Sequence, residues 1–515
     1  MTKKNQNLYF YLFPIFLGAI TSFSLPPYNF IILNFITFPL LLKLLIDIKK
    51  KNSNLLNFNV GWLFGIGYFF SNLYWIVYAL TFEDIFKPLI PIALILVPSF
   101  LALFYGFITL IVAKFKLDKN FSSIIIFSLV FALIEFIRGF ILGGFPWNLI
   151  VYSWTKYVSS IQIISLIGTY CFNLISISIF LLPIVLFYKK KLRFKLGTLI
   201  LLIATLVFNH FYGHHKITND KKLYTEFKNF NIKVISPKIS IERFFQPNNE
   251  EEIVKELIEL SNPNISDNTI FIFPEGALAG INLDQLKDFK PIFLNKFKET
   301  HVIIMGINTK RIINGYSKIY NSMVVLDNKL NLINEYNKIK LVPFGEFLPF
   351  EKFFNKIGLR KISYGYESFS KGYERKLIFL DSKNFNFIPL ICYEIIYSGK
   401  VNLNYNKTNF IINISEDGWF GNSVGPHQHF SHSIFRAIEE GKNIIRASNN
   451  GISAHIDSNG IIIDKLESTQ KGVIEINNYK KPKNTFFSRF GNKIFFYFLI
   501  FYISLFFFLK KRENK

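Results

Sequence analysis

The chain has 515 residues, of which 50% are hydrophobic and 18% aromatic, and its 59 Lys and Arg against 35 Asp and Glu give a formal net charge of +24. So apolar a composition excludes an ordinary soluble globular protein. The positive charge does not indicate nucleic-acid binding, because the basic residues form neither one face nor one tail and many lie between hydrophobic runs.

Apolar residues are concentrated in the first 212 residues and near the end of the chain. A helix needs roughly 20 apolar residues to cross a bilayer. We therefore predict a membrane domain of about seven transmembrane helices at residues 1–212, and one more helix at residues 490–511. The apolar runs are Phe10–Phe23, Ile31–Ile48, Val60–Ala79, Ile90–Ala113, Ile124–Leu142, Ile161–Phe187, Leu196–Phe211 and Ile494–Leu509.

Basic residues follow every second apolar run. The clusters lie at Lys49–Lys51, Lys114–Lys119, Lys189–Lys195 and Lys510–Arg512. Because cytoplasmic loops are enriched in Lys and Arg, this alternation predicts that both termini are cytoplasmic. The long segment between the seventh and eighth runs then lies on the outer side of the membrane.

Two charged residues interrupt the fifth apolar run. Glu135 and Arg138 are three positions apart and therefore share one face of a helix. Charges inside a bilayer are costly, so they usually pair or line a polar cavity. The pattern leaves open a structural ion pair and a role near a substrate.

Residues 228–480 have the composition of a globular domain with its own core. Strand-like runs alternate there with helical runs, which predicts an α/β domain with sheets covered by helices. Pro389 cannot donate a backbone hydrogen bond, so the strand that contains it is distorted or near an edge. Helices are predicted at Glu250–Leu260, Leu283–Glu299 and His429–Glu440. Strands are predicted at Ile232–Ile235, Thr269–Phe273, Val302–Gly306, Ser322–Leu326, Asn386–Ile391, Phe410–Ile414, Ile452–Ile456 and Val473–Ile476.

Cys392 stands where an apolar strand ends, and the chain has one other cysteine, Cys171, inside an apolar run. A lone thiol at such a position is a candidate nucleophile when a base and a cation serve it. Glu275 ends another predicted strand and is the candidate base. Lys338 is the candidate cation for the thiolate and for a tetrahedral intermediate.

Nearby residues extend this hypothesis. Glu346 and Glu394 would orient Lys338 or hold the proton network, and the backbone N–H groups at Tyr393 and Glu394 would add to an oxyanion hole if a helix begins there. Taken singly, each candidate also has an ordinary interpretation as a solvated carboxylate, one lysine among many or a packed cysteine. Their occurrence together favours a catalytic site over these ordinary interpretations.

Two further groups of side chains stand out. The aromatic loop residues Phe344, Phe347, Phe350 and Phe353 fit either core packing or an apolar lid that dips into lipid and admits acyl chains. His427, His429 and His432 do not have the spacing of a familiar zinc motif. We therefore expect no metal there, and hydrogen bonding at a helix start instead.

Several motifs together resemble one family. Phe-Pro-Glu275, Lys338 and Ile-Cys392-Tyr-Glu resemble the Glu–Lys–Cys triad of the nitrilase superfamily. The form Tyr-Asn-Lys-x-x-Leu-Val-Pro-Phe-Gly-Glu346 resembles the apolipoprotein N-acyltransferases of bacterial inner membranes. Also similar to that family are the stretches Asn413–Gly421 with Trp419, Gly425–His429, Arg446–Gly451, Glu135–Gly139 and Gly144–Trp147.

This resemblance implies a four-layer α/β/β/α nitrilase-like domain on the periplasmic face of the bacterial inner membrane, working without a cofactor. It implies catalytic roles for Glu275, Lys338 and Cys392, with Trp419 among the supporting residues. Cys392 would take an acyl chain from a phospholipid, typically phosphatidylethanolamine, as a thioester. The α-amine of a diacylglyceryl-cysteine at the N-terminus of an apolipoprotein would then accept it. The expected partners are this donor, this acceptor and the bilayer, and not nucleic acid.

One departure and two alternative functions accompany the resemblance. The family commonly has a tryptophan after the first strand of this domain, where this chain has the stretch Ile241–Phe245. A membrane-tethered nitrilase-like amidase would use the same triad to hydrolyse an amide. A transporter or channel would need several ionisable residues across its spans, whereas the sequence offers mainly Glu135 and Arg138.

Overall fold

A computed structural model describes residues 8–48, 53–188, 190–220, 224–244, 250–264, 266–278, 280–349, 351, 356, 368–401 and 408–513. The chain divides into two compact units. The first comprises Met1–Val77, Pro88–Asp220 and Thr485–Lys515, and the second comprises Tyr78–Lys87 and Lys221–Asn484.

The first unit is helical. Its α-helices are α1 Phe13–Ser22, α2 Asn34–Ile48, α3 Asn54–Leu73, α4 Ile90–Ala113, α5 Phe121–Arg138, α6 Ile164–Leu181, α7 Leu192–Asn219, α12 Phe486–Phe490 and α13 Lys493–Glu513. Short 3₁₀ turns extend several of them, so the helical stretches long and apolar enough to cross a membrane are Ile31–Ile48, Asn54–Thr81, Asp84–Ala113, Phe121–Arg138, Ile164–Phe187, Leu192–Asn219 and Lys493–Glu513.

These seven stretches, with the shorter apolar helix Tyr9–Ser22, coincide with the eight predicted runs. Large apolar side chains point outward from them, for example Phe208, which is 75% exposed, and Phe507, which is 63% exposed. Such surfaces are stable in lipid and not in water. The multi-helix membrane part of the predicted fold is therefore confirmed.

The second unit contains fourteen strands among the described residues. They are β1 Tyr224–Glu226, β2 Asn231–Ser236, β3 Thr269–Ile272, β4 Val302–Ile313, β5 Tyr316–Leu326, β6 Leu332–Asn337, β7 Ile378–Leu380, β8 Phe385–Ile391, β9 Phe410–Glu416, β10 Asn443–Asn449, β11 Ser453–Ile456, β12 Ile462–Leu466, β13 Gly472–Ile476 and β14 Asn478–Lys480. Its α-helices are α8 Glu250–Ser261, α9 Leu283–Leu286, α10 Lys290–Lys296 and α11 Gly425–Glu440.

Two six-stranded sheets share one pattern of strand directions. Their orders are β13-β2-β3-β4-β5-β6 and β7-β8-β9-β10-β11-β12. In each sheet three neighbouring strands are parallel, β2-β3-β4 in one and β8-β9-β10 in the other, and the remaining pairings are antiparallel. The carboxyl ends of parallel strands meet at one edge, where ligands usually bind.

The two sheets face each other between two layers of helices. An ideal Cβ on Gly306 of β4 would lie 2.9 Å from Cδ1 of Ile414 on β9, so the sheets meet face to face there. On the outer side of the first sheet, Val254 and Phe293 of the helices pack against Phe271 in one buried core. Helix α11 covers β10 and β11 of the second sheet. The predicted α/β/β/α sandwich is confirmed.

The structure differs from the predicted elements in one helix and in six strands. The helix predicted at Leu283–Glu299 is divided into α9, a 3₁₀ turn and α10, because Pro291 has no N–H to donate and starts a new helix. Strands β1, β6, β7, β10, β12 and β14 were not predicted. Pro389 lies beyond Phe387, the last residue of β8 that pairs with β7, so its missing donor interrupts no pairing with that strand.

Candidate active site

Three chain segments end at the same edge of the second unit. Glu275 follows β3, Lys338 follows β6, and Cys392 follows β8. Strand β6 is antiparallel to β5, which is antiparallel to β4, so β6 runs in the direction of β3 and β4. Residues far apart in the sequence therefore meet where these strands end.

Lys338 lies between two carboxylates. Its ammonium donates to Glu346 Oε1 at 2.8 Å and to Glu275 Oε1 at 3.3 Å, and its side chain is 1% exposed. Burial disfavours the ammonium, but the negative charges of Glu275 and Glu346 outweigh that penalty and hold the pKa of Lys338 well above its usual value. Lys338 is therefore a fixed cation and not a proton donor near neutral pH.

Asn321 joins the same two carboxylates and was not predicted. Its Nδ2 donates to Oε1 of Glu275 and to Oε1 of Glu346, at 2.7 Å in each case. Its backbone carbonyl accepts from the N–H of Lys338 at 2.9 Å. A lone asparagine in strand β5 carries no motif, and only its neighbours in space show its position.

Backbone N–H groups also hold the two carboxylates. The N–H of Glu416 donates to Oε2 of Glu275 at 2.9 Å, and the N–H of Val342 donates to Oε2 of Glu346 at 2.8 Å. Both oxygens of each carboxylate are thus satisfied. An ideal Cβ on Gly306 would lie 2.5 Å from Cα of Glu275, so this approach requires glycine.

Cys392 occupies a sharp turn between β8 and a 3₁₀ helix at Cys392–Ile396. Its φ of +48° lies in the left-handed region, which residues with a Cβ rarely adopt. Burial raises the pKa of its thiol well above the usual value, and the charge of Glu275 adds to this while Lys338 opposes it. The resting side chain is therefore a thiol, and a base must remove its proton before it can attack.

The carboxylate of Glu394 ties the lysine segment to the cysteine turn. It accepts hydrogen bonds from backbone groups on both sides and pairs with a buried guanidinium, so removing it would loosen both at once. Its donors are Tyr336 Oη at 2.7 Å, Ile391 N at 2.9 Å, Ile339 N at 3.0 Å, Arg375 Nη2 at 3.1 Å and Lys340 N at 3.2 Å. Glu394 holds the segment after Lys338 through the backbone N–H groups of Ile339 and Lys340. Tyr393 beside it is buried, with its ring 5.5 Å from that of Tyr397.

A second charged cluster lies beside the thiol. A carboxylate oxygen of Asp417, a ring nitrogen of His429 and Sγ of Cys392 lie within 4.8 Å of one another. Although burial disfavours its charge, Arg446 and His429 hold the pKa of Asp417 below its usual range. Burial lowers the pKa of His429, against the attraction of Asp417.

Those three side chains have the donor types of a metal site. Arg446 Nη2 already donates to Asp417 Oδ2 at 2.8 Å and lies 3.1 Å from His429 Nδ1. A guanidinium in that position supplies the balancing cation, so the arrangement does not fit a metal ion. His429 lies in the second turn of α11, where hydrogen bonding was expected. His427 is half-buried, and His432 lies one turn further along the same helix.

The region that departs from the family pattern contributes Arg243. It lies in a 3₁₀ turn at Ile241–Phe244, and its Nη2 donates to Glu416 Oε2 at 2.6 Å and to the carbonyl of Gly276 at 2.7 Å. It thereby links the loop after Glu275 to the end of β9. Neither Arg243 nor Glu416 was predicted to be a site residue.

The predicted lid residues are described only in part. Phe344 has a φ of +63° and is 47% exposed, and its N–H donates to the carbonyl of Phe347 at 2.8 Å. Phe350 and Phe353 lie outside the described residues. Trp419 is half-buried on the loop after β9, with its ring 5.9 Å from that of Phe82.

Glu135 and Arg138 are buried in the helical unit. Glu135 accepts from Asn173 Nδ2 at 2.6 Å and from Tyr105 Oη at 2.9 Å, and it lies 3.5 Å from Arg138. Arg138 also donates to the carbonyl of Phe145. These contacts lie within one unit and favour the structural ion pair over a role near a substrate.

Comparison with known proteins agrees with both units. The sequence pattern of the apolipoprotein N-acyltransferase N-terminal domain matches residues 17–211, and that of the carbon-nitrogen hydrolases matches residues 269–477. An apolipoprotein N-acyltransferase of Brucella melitensis is 30% identical over 485 residues, which are 92% of this chain and 90% of the relative. The one from Rickettsia prowazekii is 32% identical over 439 residues, which are 84% and 85% of the two chains.

Solved structures of similar fold include two members of the nitrilase superfamily. An amidase from Nesterenkonia is 11% identical with a TM-score of 0.34, over 50% of this chain and 92% of that one. A Saccharomyces cerevisiae protein is 17% identical with a TM-score of 0.35, over 48% and 90% of the two chains.

The α/β/β/α sandwich and the carbon-nitrogen hydrolase match define an enzyme domain of the nitrilase superfamily, carried by a chain with membrane-spanning helices. The relatives match across both parts at about 30% identity. The chain belongs to the apolipoprotein N-acyltransferase family and is an acyltransferase.

Proposed function

We propose that this protein transfers a fatty acyl group from a membrane phospholipid to the N-terminal amine of diacylglyceryl-cysteine in apolipoproteins, with Cys392 as the acyl carrier. The observation that carries the proposal is the meeting of Glu275, Lys338 and Cys392 at one end of the two facing sheets, in a chain whose relatives of this name match nearly its full length. Glu275, Lys338 and Cys392 are the proposed catalytic residues.

In the first half-reaction the Cys392 thiol attacks the ester carbonyl carbon of the phospholipid. Glu275 accepts the thiol proton as the new C–S bond forms. The carbonyl electrons move onto oxygen, and the ester C–O bond then breaks. Glu275 returns its proton to the leaving alkoxide, which gives a lysophospholipid and an acyl thioester on Cys392.

The oxyanion formed in this step needs fixed positive charge. Lys338 supplies it, because the two neighbouring carboxylates keep the ammonium protonated. The backbone N–H groups of Tyr393 and Glu394 lie in the first turn of the 3₁₀ helix that begins at Cys392, and they are the candidates for additional donors.

In the second half-reaction the lipoprotein α-amine attacks the thioester carbon. Glu275 takes one proton from the amine as the C–N bond forms. The C–S bond then breaks, and the proton passes to the departing Cys392 sulfur. The products are an amide and the free thiol, so the cycle closes without a cofactor.

Both substrates are held in a bilayer, so we place the catalytic unit at its periplasmic surface and both termini in the cytoplasm. The alternation of lysine-rich loops supports this orientation. Phosphatidylethanolamine is the proposed donor. Phe344 and Phe347 are proposed as part of an apolar lid, and the 47% exposure of Phe344 supports that role.

A membrane-tethered amidase would use the same thiol and base, with water as the attacking group. The full-length match to acyltransferases weighs against it, because it includes the helical unit. In an amidase water consumes the thioester, and in an acyltransferase the lipoprotein amine does. An experiment that identifies the acceptor therefore separates the two functions.

The test is the intact mass of the full chain in detergent after incubation with phosphatidylethanolamine. We expect one added acyl group, which hydroxylamine releases, and no adduct on Cys392→Ala. Cys171→Ala is the matched control, because Cys171 is the other buried cysteine, and it should acylate normally. Addition of a diacylglyceryl peptide should discharge the thioester into an amide. Discharge by water alone, or no adduct on the unaltered chain, would overturn the proposal.

A further inference from the structure

The carbonyl of Cys392 has a buried side-chain partner that the proposed mechanism does not use. His429 Nε2 lies 3.3 Å from that oxygen. Its other ring nitrogen, Nδ1, lies 2.9 Å from Asp417 Oδ1. The imidazole therefore stands between a fixed carboxylate and the backbone of the nucleophile.

The turn at Cys392 needs such support. A residue with a Cβ at a φ of +48° is unfavourable unless its surroundings hold it there. Rotation about that backbone would move Sγ relative to Glu275 and Lys338, because the side chain follows the Cα–Cβ bond. A hydrogen bond to the Cys392 carbonyl restrains that rotation directly.

His429 is itself rigidly placed. Its side chain is fully buried, and the ring of Phe420 meets it edge-on with centroids 5.6 Å apart. Asp417 is fixed by Ser415 Oγ at 2.6 Å and by Arg446 Nη2 at 2.8 Å. Arg446 is anchored in turn to the side chain of Asn413 on β9 and to the carbonyl of Ile452.

We propose that His429 is a positioning residue for the nucleophile: with hydrogen on Nε2 it donates to the Cys392 carbonyl, its Nδ1 accepts from Arg446 Nη2, and Asp417 holds that guanidinium in place. This inference rests on the proposed role of Cys392 and adds a second support to its turn, besides Glu394. His429 touches neither substrate nor the reacting atoms in this scheme. Its effect is on the geometry of the thiol.

Two amide substitutions separate the hydrogen bond from simple packing. The amide nitrogen of His429→Gln falls near the position of Nε2 and can still donate to the Cys392 carbonyl. The amide of His429→Asn is one methylene shorter, near the position of Nδ1, and reaches toward Asp417 only. Both variants keep a polar, partnered side chain, so both are expected to fold. His427→Asn, on the same helix but half-buried, is the matched control.

The measurement is the rate of thioester formation by the full chain in detergent, with phosphatidylethanolamine, by intact mass. The rate of Cys392 alkylation by iodoacetamide is followed in parallel in a Cys171→Ala background. We expect His429→Gln and the control to stay within about threefold of the unaltered chain and His429→Asn to be roughly 100-fold slower in acylation. The rate of Cys392 alkylation should differ from that of the unaltered chain in His429→Asn and should be the same in His429→Gln.

Equal rates in the Gln and Asn variants, whether both normal or both lost, would overturn the inference. Failure of the unaltered chain to form a thioester would instead count against the proposed function. The alkylation rates report on the Cys392 turn without a lipid donor, so the two failures are distinguishable.

Discussion

The side-chain amide of Asn321 donates to Oε1 of Glu275 at 2.7 Å, the same oxygen that the Lys338 ammonium approaches at 3.3 Å. A neutral donor and a cation therefore converge on one carboxylate oxygen of the proposed base. Because Asn321 gives its second hydrogen to Glu346, it also keeps the two carboxylates at a fixed separation.

Asn321→Asp should impair acyl transfer while keeping the shape of the site. A third carboxylate would replace the donor to Glu275 and Glu346 with an acceptor that repels both. We expect kcat/KM to fall by about 10²-fold. Asn314→Asp, the same exchange in the exposed turn between β4 and β5, is the control. An unchanged kcat/KM in Asn321→Asp would contradict the assigned role of Asn321.

Glu275→Gln should make Cys392 more easily ionised and yet inactive. Burial and the charge of Glu275 raise the pKa of the thiol, so removal of that charge, with the opposing charge of Lys338 kept, lowers the pKa of the thiol. Alkylation of Cys392 should therefore begin at lower pH, while acyl transfer falls by about 10³-fold for want of a base. The pH dependence of alkylation checks the first part, with the exposed Glu299→Gln as control. A thiol pKa that rises or stays constant would exclude this account.

Gly306→Ala should displace the proposed base. The new Cβ would lie 2.5 Å from Cα of Glu275 and 3.0 Å from the carbonyl of Pro274, where backbone must shift. We expect a loss of about 1–3 kcal/mol in the free energy of unfolding and a larger proportional loss of acyl transfer. Gly197→Ala, where nothing lies within 4 Å of the added carbon, should have neither effect. Thermal melting measures the loss of stability, and initial rates of acyl transfer on the same preparations measure the loss of activity.

The stability of the protein should fall between pH 4.5 and about pH 7 because of Glu440. Burial, reinforced by the nearby charge of Glu439, raises the pKa of Glu440 to about 7 from an ordinary value of 4.5. The folded state thus keeps a proton that the unfolded chain releases, and the associated stability is complete below pH 4.5 and lost as the pH rises through about 7.

Glu440→Gln removes this titration. We expect its melting temperature to exceed that of the unaltered chain at pH 8 and to match it at pH 5, with the exposed Glu259→Gln unchanged at both. Thermal melting of the detergent-solubilised chain, followed by intrinsic fluorescence from pH 5 to pH 8.5, measures these melting temperatures. Parallel pH curves for Glu440→Gln and the unaltered chain would show that Glu440 does not titrate in this range.

Local pattern was sufficient for much of the architecture. The apolar runs that became membrane helices and the strands before Glu275 and Cys392 were all predicted, because burial of one stretch of chain depends on its own side chains. Where a local rule was overlooked, as at Pro291, the helix was predicted too long. Strands β1, β6, β7, β10, β12 and β14 were not predicted, because their pairing depends on neighbouring strands more than on their own periodicity.

The sequence by itself determined the membrane helices, the α/β class and the identities of Glu275, Lys338 and Cys392 as candidates, since each lies in a recognisable local motif. Only the tertiary structure brought Asn321 to Glu275, 46 residues away in the chain, and His429 to the carbonyl of Cys392, 37 residues away. The physical reason is that a hydrogen bond depends on distance in space. Strand order and the packing of two sheets set that distance, and neither can be predicted from the periodicity of a single segment.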